Sequence, residues 1–267
     1  NILQLKGLSD SVDKTTTDQK RGVSYKILLL IAGLAVIYQT FNYILPEKEG
    51  ELSPIDFVVL VAVMVCAIAS FLVSKRYERS EVFGQAYLAL GIGFTAYAIG
   101  EIIWDYYIGV LKIYPYPSIA DVFFFAQYPF IVFHLIRNIK FFKRKISTMT
   151  IIWLAAVPVA LVLIYSYFTF IQVGYDLFDY YYGVPFVAAS ATTLSFAILG
   201  MQVFRQSLLA SVWSLLAVGI FLNTFADINY YHLEIFGLYT RTHWVNVLWF
   251  LAPLLITYSL YRHYKII

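Results

Sequence analysis

The sequence predicts an all-α membrane protein, an eight-transmembrane-helix bundle with both termini in the cytoplasm and a two-fold internal repeat. Three observations predict it. The 267 residues are 61% hydrophobic and 13% charged, with a mean hydropathy of +0.73, whereas a soluble domain is about 25% charged. The apolar residues fall into eight separate runs, near 25–45, 53–74, 83–108, 119–139, 149–171, 181–204, 207–233 and 243–262, each close to the roughly 20 residues that a bilayer span requires. Of the 19 Lys and Arg residues, 16 lie in alternate segments between these runs.

The runs are helices. In lipid every backbone group must be satisfied within a helix or a closed barrel. Barrel strands are about 10 residues long with alternating polarity, and these runs are twice that length and continuously apolar. Positive charge is retained on the cytoplasmic side. One side holds Lys6, Lys14, Lys20, Arg21, Lys26, then Lys75, Arg76, Arg79, then Arg137, Lys140, Lys143, Arg144, Lys145, then Arg205, and finally Arg262 and Lys265. The other side holds Lys48, Lys112 and Arg241. This pattern predicts N-in/C-in topology.

Residues 1–23 form a polar cytoplasmic arm, and residues 24–267 a single membrane domain of two halves, 24–145 and 146–267. The arm is no signal peptide, because Asp10, Asp13 and Asp18 interrupt it and the first span is too long for a signal core. The second span carries the single Cys66, which excludes an intramolecular disulfide and reads as a small core residue. The third span ends in Glu101 and Asp105, whose i,i+4 spacing puts them on one helix face. Asp121 opens the fourth span, which also carries Pro129 and His134. His134 reads as interfacial, near the cytoplasmic end. Pro158 and Pro185 lie inside the fifth and sixth spans. The seventh carries Asn223 and Asp227 one turn apart and leaves the membrane through His232 and Glu234. His243 and Asn246 open the eighth, which contains Pro253.

A shift of 126 residues places Gly93 on Gly219, Gly100 on Ala226, Glu101 on Asp227 and Trp104 on Tyr230. Asp121 then Pro129 are echoed by Asn246 then Pro253. Each half has four spans, so the copies share an orientation, and their pseudo-twofold axis runs along the membrane normal.

Ionisable residues within spans are costly and usually face the bundle interior. Glu101, Asp105, Asp121, Asn223, Asp227, His232, His243 and Asn246 all map to the outer side, with no Lys or Arg within the spans beside them. Two functional readings stand, a cation or cationic-ligand pocket and a proton-sensitive group. Ties between helices are the structural alternative. Asp121 has a second reading of its own, since Ser118-Ile-Ala-Asp121 has capping-box spacing. Aromatics form 19% of the chain. Those at the outer side, Trp104, Tyr128, Tyr230, Tyr231 and Trp244 among them, form either an interfacial belt or the wall of a pocket.

No His or Cys spacing supports a metal, no span holds a Lys for a Schiff base, and no GxSxG or nucleotide-binding loop is present. The sequence therefore implies no metal, no cofactor and no catalytic residue. The basic residues are topology signals and contacts to anionic lipid, with no basic soluble surface for nucleic acid.

Gly100-Glu101-Ile-Ile-Trp104, followed by Pro115-Tyr-Pro117-Ser118-Ile-Ala-Asp121 and Tyr128-Pro129, resembles the multi-span membrane sensor regions that precede diguanylate cyclase, phosphodiesterase or histidine kinase domains in prokaryotic proteins. The resemblance covers about 30 residues closely. It implies a non-catalytic input module in a prokaryotic plasma membrane, sensing something outside or within the bilayer. No output domain lies within this sequence, so it further implies a protein partner or an output beyond these residues. The competing expectations are a structural subunit of a membrane complex and a small ion-coupled transporter.

Overall fold

The computed structural model describes residues 22–45, 52–142, 147–170 and 177–266. The arm up to residue 21, and with it Lys6, Lys14, Lys20 and Arg21, lies outside the described residues, as do Lys48, Lys143, Arg144 and Lys145. The described residues form eight long helices and no strand: α1 Tyr25–Ile44, α2 Asp56–Arg76, α3 Phe83–Tyr106, α4 Ile119–Phe142, α5 Thr148–Phe170, α6 Leu177–Phe204, α7 Ala210–Ile235 and α8 Val245–Ile266. A π-helical segment, Tyr107–Leu111, extends α3. All eight are long and apolar enough to cross a membrane. By length and composition the chain is a multi-pass membrane protein.

Local chemistry sets several helix starts. At α4 the Ser118 amide donates to Asp121 Oδ2 at 2.7 Å, and the Ala120 amide donates to Ser118 Oγ at 3.2 Å. At α2 the Ser53 amide donates to Asp56 Oδ2 at 2.6 Å. Both are Ser-x-x-Asp boxes that satisfy amides a helix start would otherwise leave bare. Pro129, Pro158, Pro185 and Pro253 all lie inside helices.

Six helices close a ring. α2 packs on α3, α3 on α4, α4 on α6, α6 on α7, α7 on α8, and α8 back on α2. Exchanging α2, α3 and α4 for α6, α7 and α8 leaves this neighbour order unchanged. Two glycines set the backbones of ring neighbours close together. A Cβ on Gly93 would lie 3.1 Å from the Gln127 carbonyl of α4, and one on Gly219 would lie 3.0 Å from the Ala252 carbonyl of α8. Backbones meet there because no side chain intervenes.

α1 and α5 stand outside the ring. α1 packs on α8, and α5 packs on α6 with a minor contact to α7. Only Tyr165 and Thr169 of α5 are buried, so most of its surface is turned away from the ring.

The two ends of the ring differ in chemistry. At the end where α3 and α7 finish, polar groups gather around a void. The opposite end is filled by side chains. His134 lies between Tyr87 (ring centroids 4.7 Å apart) and Trp213 (6.1 Å), His263 packs on Tyr87 at 4.9 Å, and Phe204 stacks on Trp213 at 4.4 Å. His134 is fully buried. That corrects the interfacial reading, since the helix face that carries it turns inward. Its Nδ1 faces the Ala86 carbonyl at 3.1 Å. Cys66 is fully buried, as expected of a core residue.

Candidate functional site

A cavity of about 110 Å³ lies within the ring at the polar end. Six helices supply its wall: α1 gives Tyr38, α2 Asp56, α3 Glu101, Trp104 and Asp105, α4 Asp121 and Tyr128, α7 Asp227 and Tyr230, and α8 Asn246 and Trp249. A smaller void of about 20 Å³, lined in part by Gln127, Asn223 and Thr193, sits deeper in the ring. It has room for about one water.

The five acids of the cavity have unlike surroundings. Asp227 is the most fully bonded. Its Oδ2 accepts from Tyr128 Oη at 2.9 Å, Ser190 Oγ at 2.6 Å and Asn223 Nδ2 at 2.8 Å, and its Oδ1 accepts from Trp249 Nε1 at 2.9 Å. These donors come from α4, α6, α7 itself and α8, so one carboxylate ties four helices. Such charge-assisted bonds are the strong ones. Asp121 accepts the Ser118 amide, as the capping reading expects, and it also lines the cavity. Asp56 is held by an ion pair and hydrogen bond with Arg241, which reaches in from the loop before α8.

Glu101 and Asp105 are different. Glu101 makes no hydrogen bond or ion pair to the described residues. Asp105 is 7% exposed, and its Oδ2 is buried with no hydrogen-bond partner among them. Burying a carboxylate in this way is costly.

Around the cavity mouth, Asn246 fixes the loop before α8. Its Nδ2 donates to the Arg241 and His243 carbonyls at 2.9 and 3.1 Å, and its Oδ1 accepts from Tyr239 Oη at 2.8 Å. Burial holds the Tyr239 phenol well above its ordinary pKa, so it stays a donor. Tyr114 Oη donates to Glu234 at 2.5 Å. Burial, followed by the Glu234 charge, pushes that phenol up as well.

Of the residues singled out in the sequence, Glu101, Asp105, Asp121, Asp227, Asn246, Trp104, Tyr128, Tyr230 and Tyr231 line the cavity. Asn223 reaches it indirectly, through Asp227. His232, His243 and Trp244 stand apart. The His232 ring lies against Phe236 at 5.1 Å. His243 Nδ1 accepts the Val245 amide at 3.4 Å, and burial lowers its pKa. Trp244 is exposed and lies 5.9 Å from Phe225.

Sequence reasoning missed Tyr38, Asp56, Tyr97, Ser190, Arg241 and Trp249. One signal could have found Asp56, because Ser53-Pro-Ile-Asp56 repeats the Ser-x-x-Asp spacing of Ser118–Asp121. The described residues contain no cluster of three or more metal-ligating side chains. No family model, curated protein or solved structure matches the chain.

Proposed function

We propose that the chain is a non-catalytic input or accessory module of a prokaryotic plasma membrane, whose cavity receives a ligand from outside and reports occupancy to a protein partner. The observation that carries this reading is the contrast within the cavity. Asp227 is saturated with donors, while Glu101 and Asp105 line the void with no hydrogen bond from the described residues. A structural tie has its partners in place, whereas a receptor site keeps unmet valence for an incoming molecule.

The Lys and Arg distribution supports placing the cavity end outside and both termini in the cytoplasm. The ring order and the close approaches at Gly93 and Gly219 support a repeat relating α2–α4 to α6–α8, with α1 and α5 outside it. Such a ring gives ligand a route of influence, because α3 and α7 both run from the cavity to the opposite end. Co-purification from native membranes in mild detergent tests the role. A stoichiometric partner with an enzymatic or kinase domain supports an input module. A chain that purifies alone and carries solute across liposomes overturns it. Cysteine placed at exposed Leu238 should react with an impermeant reagent in intact cells, and cysteine at Leu208 should not.

A carrier is the second reading, favoured by the repeat and the prolines inside four helices. The packed aromatic end counts against it, since the rings of Tyr87, His134 and Trp213 close the ring of helices there.

A further inference from the structure

We propose that the cavity binds a small organic cation, a primary ammonium on a short apolar tail, with Glu101 and Asp105 as its counter-charge. The inference rests on the reading of the cavity as a ligand site and names the chemistry of the ligand.

The other charges of the cavity are already matched. Asp56 is paired with Arg241, Asp121 with the amide of its own cap, and Asp227 with four donors. Two carboxylates one turn apart on α3 remain, one with an orphan oxygen that is buried and lines the void. The internal shift explains why. Where Asp227 has Asn223 one turn earlier and, on the next helix, Trp249 three residues after Asn246, Glu101 has Tyr97 and, three residues after Asp121, Phe124. Phe124 has no donor to give, and Tyr97 makes no hydrogen bond to Glu101. The second half has built its donors into the protein, and the first half leaves them to be supplied.

The supplied group must be positive and must donate. An ammonium has three N–H donors. Asp105 Oδ2 and the Glu101 carboxylate accept two of them, and Tyr230 Oη, buried and with no hydrogen bond at normal distance among the described residues, is a third acceptor. Tyr38, Tyr97 and Trp104 supply aromatic faces, which attract a cation and cover a short alkyl tail. A divalent metal fits poorly, because no three ligating side chains converge among the described residues. A quaternary ammonium suits the aromatic walls but leaves the carboxylates without donors. The void of about 110 Å³ holds a ligand of a few heavy atoms.

The test uses the full chain in lipid nanodiscs at neutral pH, with the fluorescence of cavity-lining Trp104 and Trp249 as readout. n-Propylamine is the probe, and 1-propanol and tetramethylammonium are the controls. The expected result is a saturable change with propylamine, weaker with tetramethylammonium and absent with propanol. Glu101→Gln and Asp105→Asn should each weaken propylamine binding about tenfold or more, as loss of a close charge pair does. Thermal unfolding checks that each variant is folded. No saturable response to propylamine by folded protein overturns the proposal, as does equal binding of propanol, or unchanged affinity in both folded variants. If propylamine fails while a partner co-purifies and a neutral or anionic ligand saturates the same signal, the cation assignment is lost and the input reading stands. If no partner is found either, both fall.

Discussion

Asp227 and Glu101 are matched by the sequence shift, yet they sit in opposite environments, and the difference can be measured. Asp227→Asn replaces an acceptor of four bonds by a group that itself donates, so donors around it lose their partner. A buried donor left bare costs about 1–3 kcal/mol, and the Asn variant should show a clearly lowered thermal midpoint in detergent. Glu101→Gln removes no hydrogen bond and relieves a buried charge, so its midpoint should be unchanged or raised. The reverse order would mean that Glu101 is the tie. At this scale the sequence was partly legible. It located Glu101, Asp105 and Asp227 because intramembrane acids are rare. It could not separate a bonded acid from a bare one, because the donors Tyr128, Ser190 and Trp249 come from three other helices. Nor could it show that Arg241 reaches Asp56, which lies 185 residues away along the chain.

Helices were the most legible feature. The eight hydropathy runs correspond one to one with α1–α8, since a membrane demands length and apolarity together. The ends were read less well. The third run was expected to finish at 108, whereas α3 ends at Tyr106 and a π segment carries on to Leu111. Hydropathy reports where lipid begins and says nothing of backbone hydrogen bonding. Neighbour choice was also beyond it. Gly219→Val tests the close approach of α7 to α8. Its Cβ would lie 2.6 Å from Ile256 Cγ1 and 3.0 Å from the Ala252 carbonyl, and overpacking of this kind costs about 1–3 kcal/mol. The variant should unfold at lower denaturant, with α7 and α8 separating. A glycine placed only for propensity would tolerate valine.

The molecule as a whole is an asymmetric vessel, polar and hollow at one end and packed with aromatic rings at the other. Reconstituted protein should therefore pass no sodium or protons beyond the background of protein-free liposomes. Measurable flux would require the contacts of Tyr87, His134, Trp213 and His263 to open. The location of this packing was not legible, since two histidines 129 residues apart in sequence give no sign that they meet the same tyrosine. The outward face of α5 is the converse. Its sequence is apolar throughout, and nothing in the ring claims it.

With the end of α3 taken as the edge of the hydrocarbon core, Glu101 stands five residues inside it, about 8 Å at the helical rise and so roughly a quarter of a core about 30 Å thick. The electrical distance to the site is correspondingly short. A monovalent cation moving there feels about a quarter of the 2.3 kcal/mol that 100 mV exerts across the whole membrane, or an affinity change of about threefold. Binding measured in vesicles under an imposed potassium diffusion potential should shift by no more than that. On the proposed outward orientation, depolarisation would leave the cavity filled, and occupancy would follow ligand concentration far more than voltage.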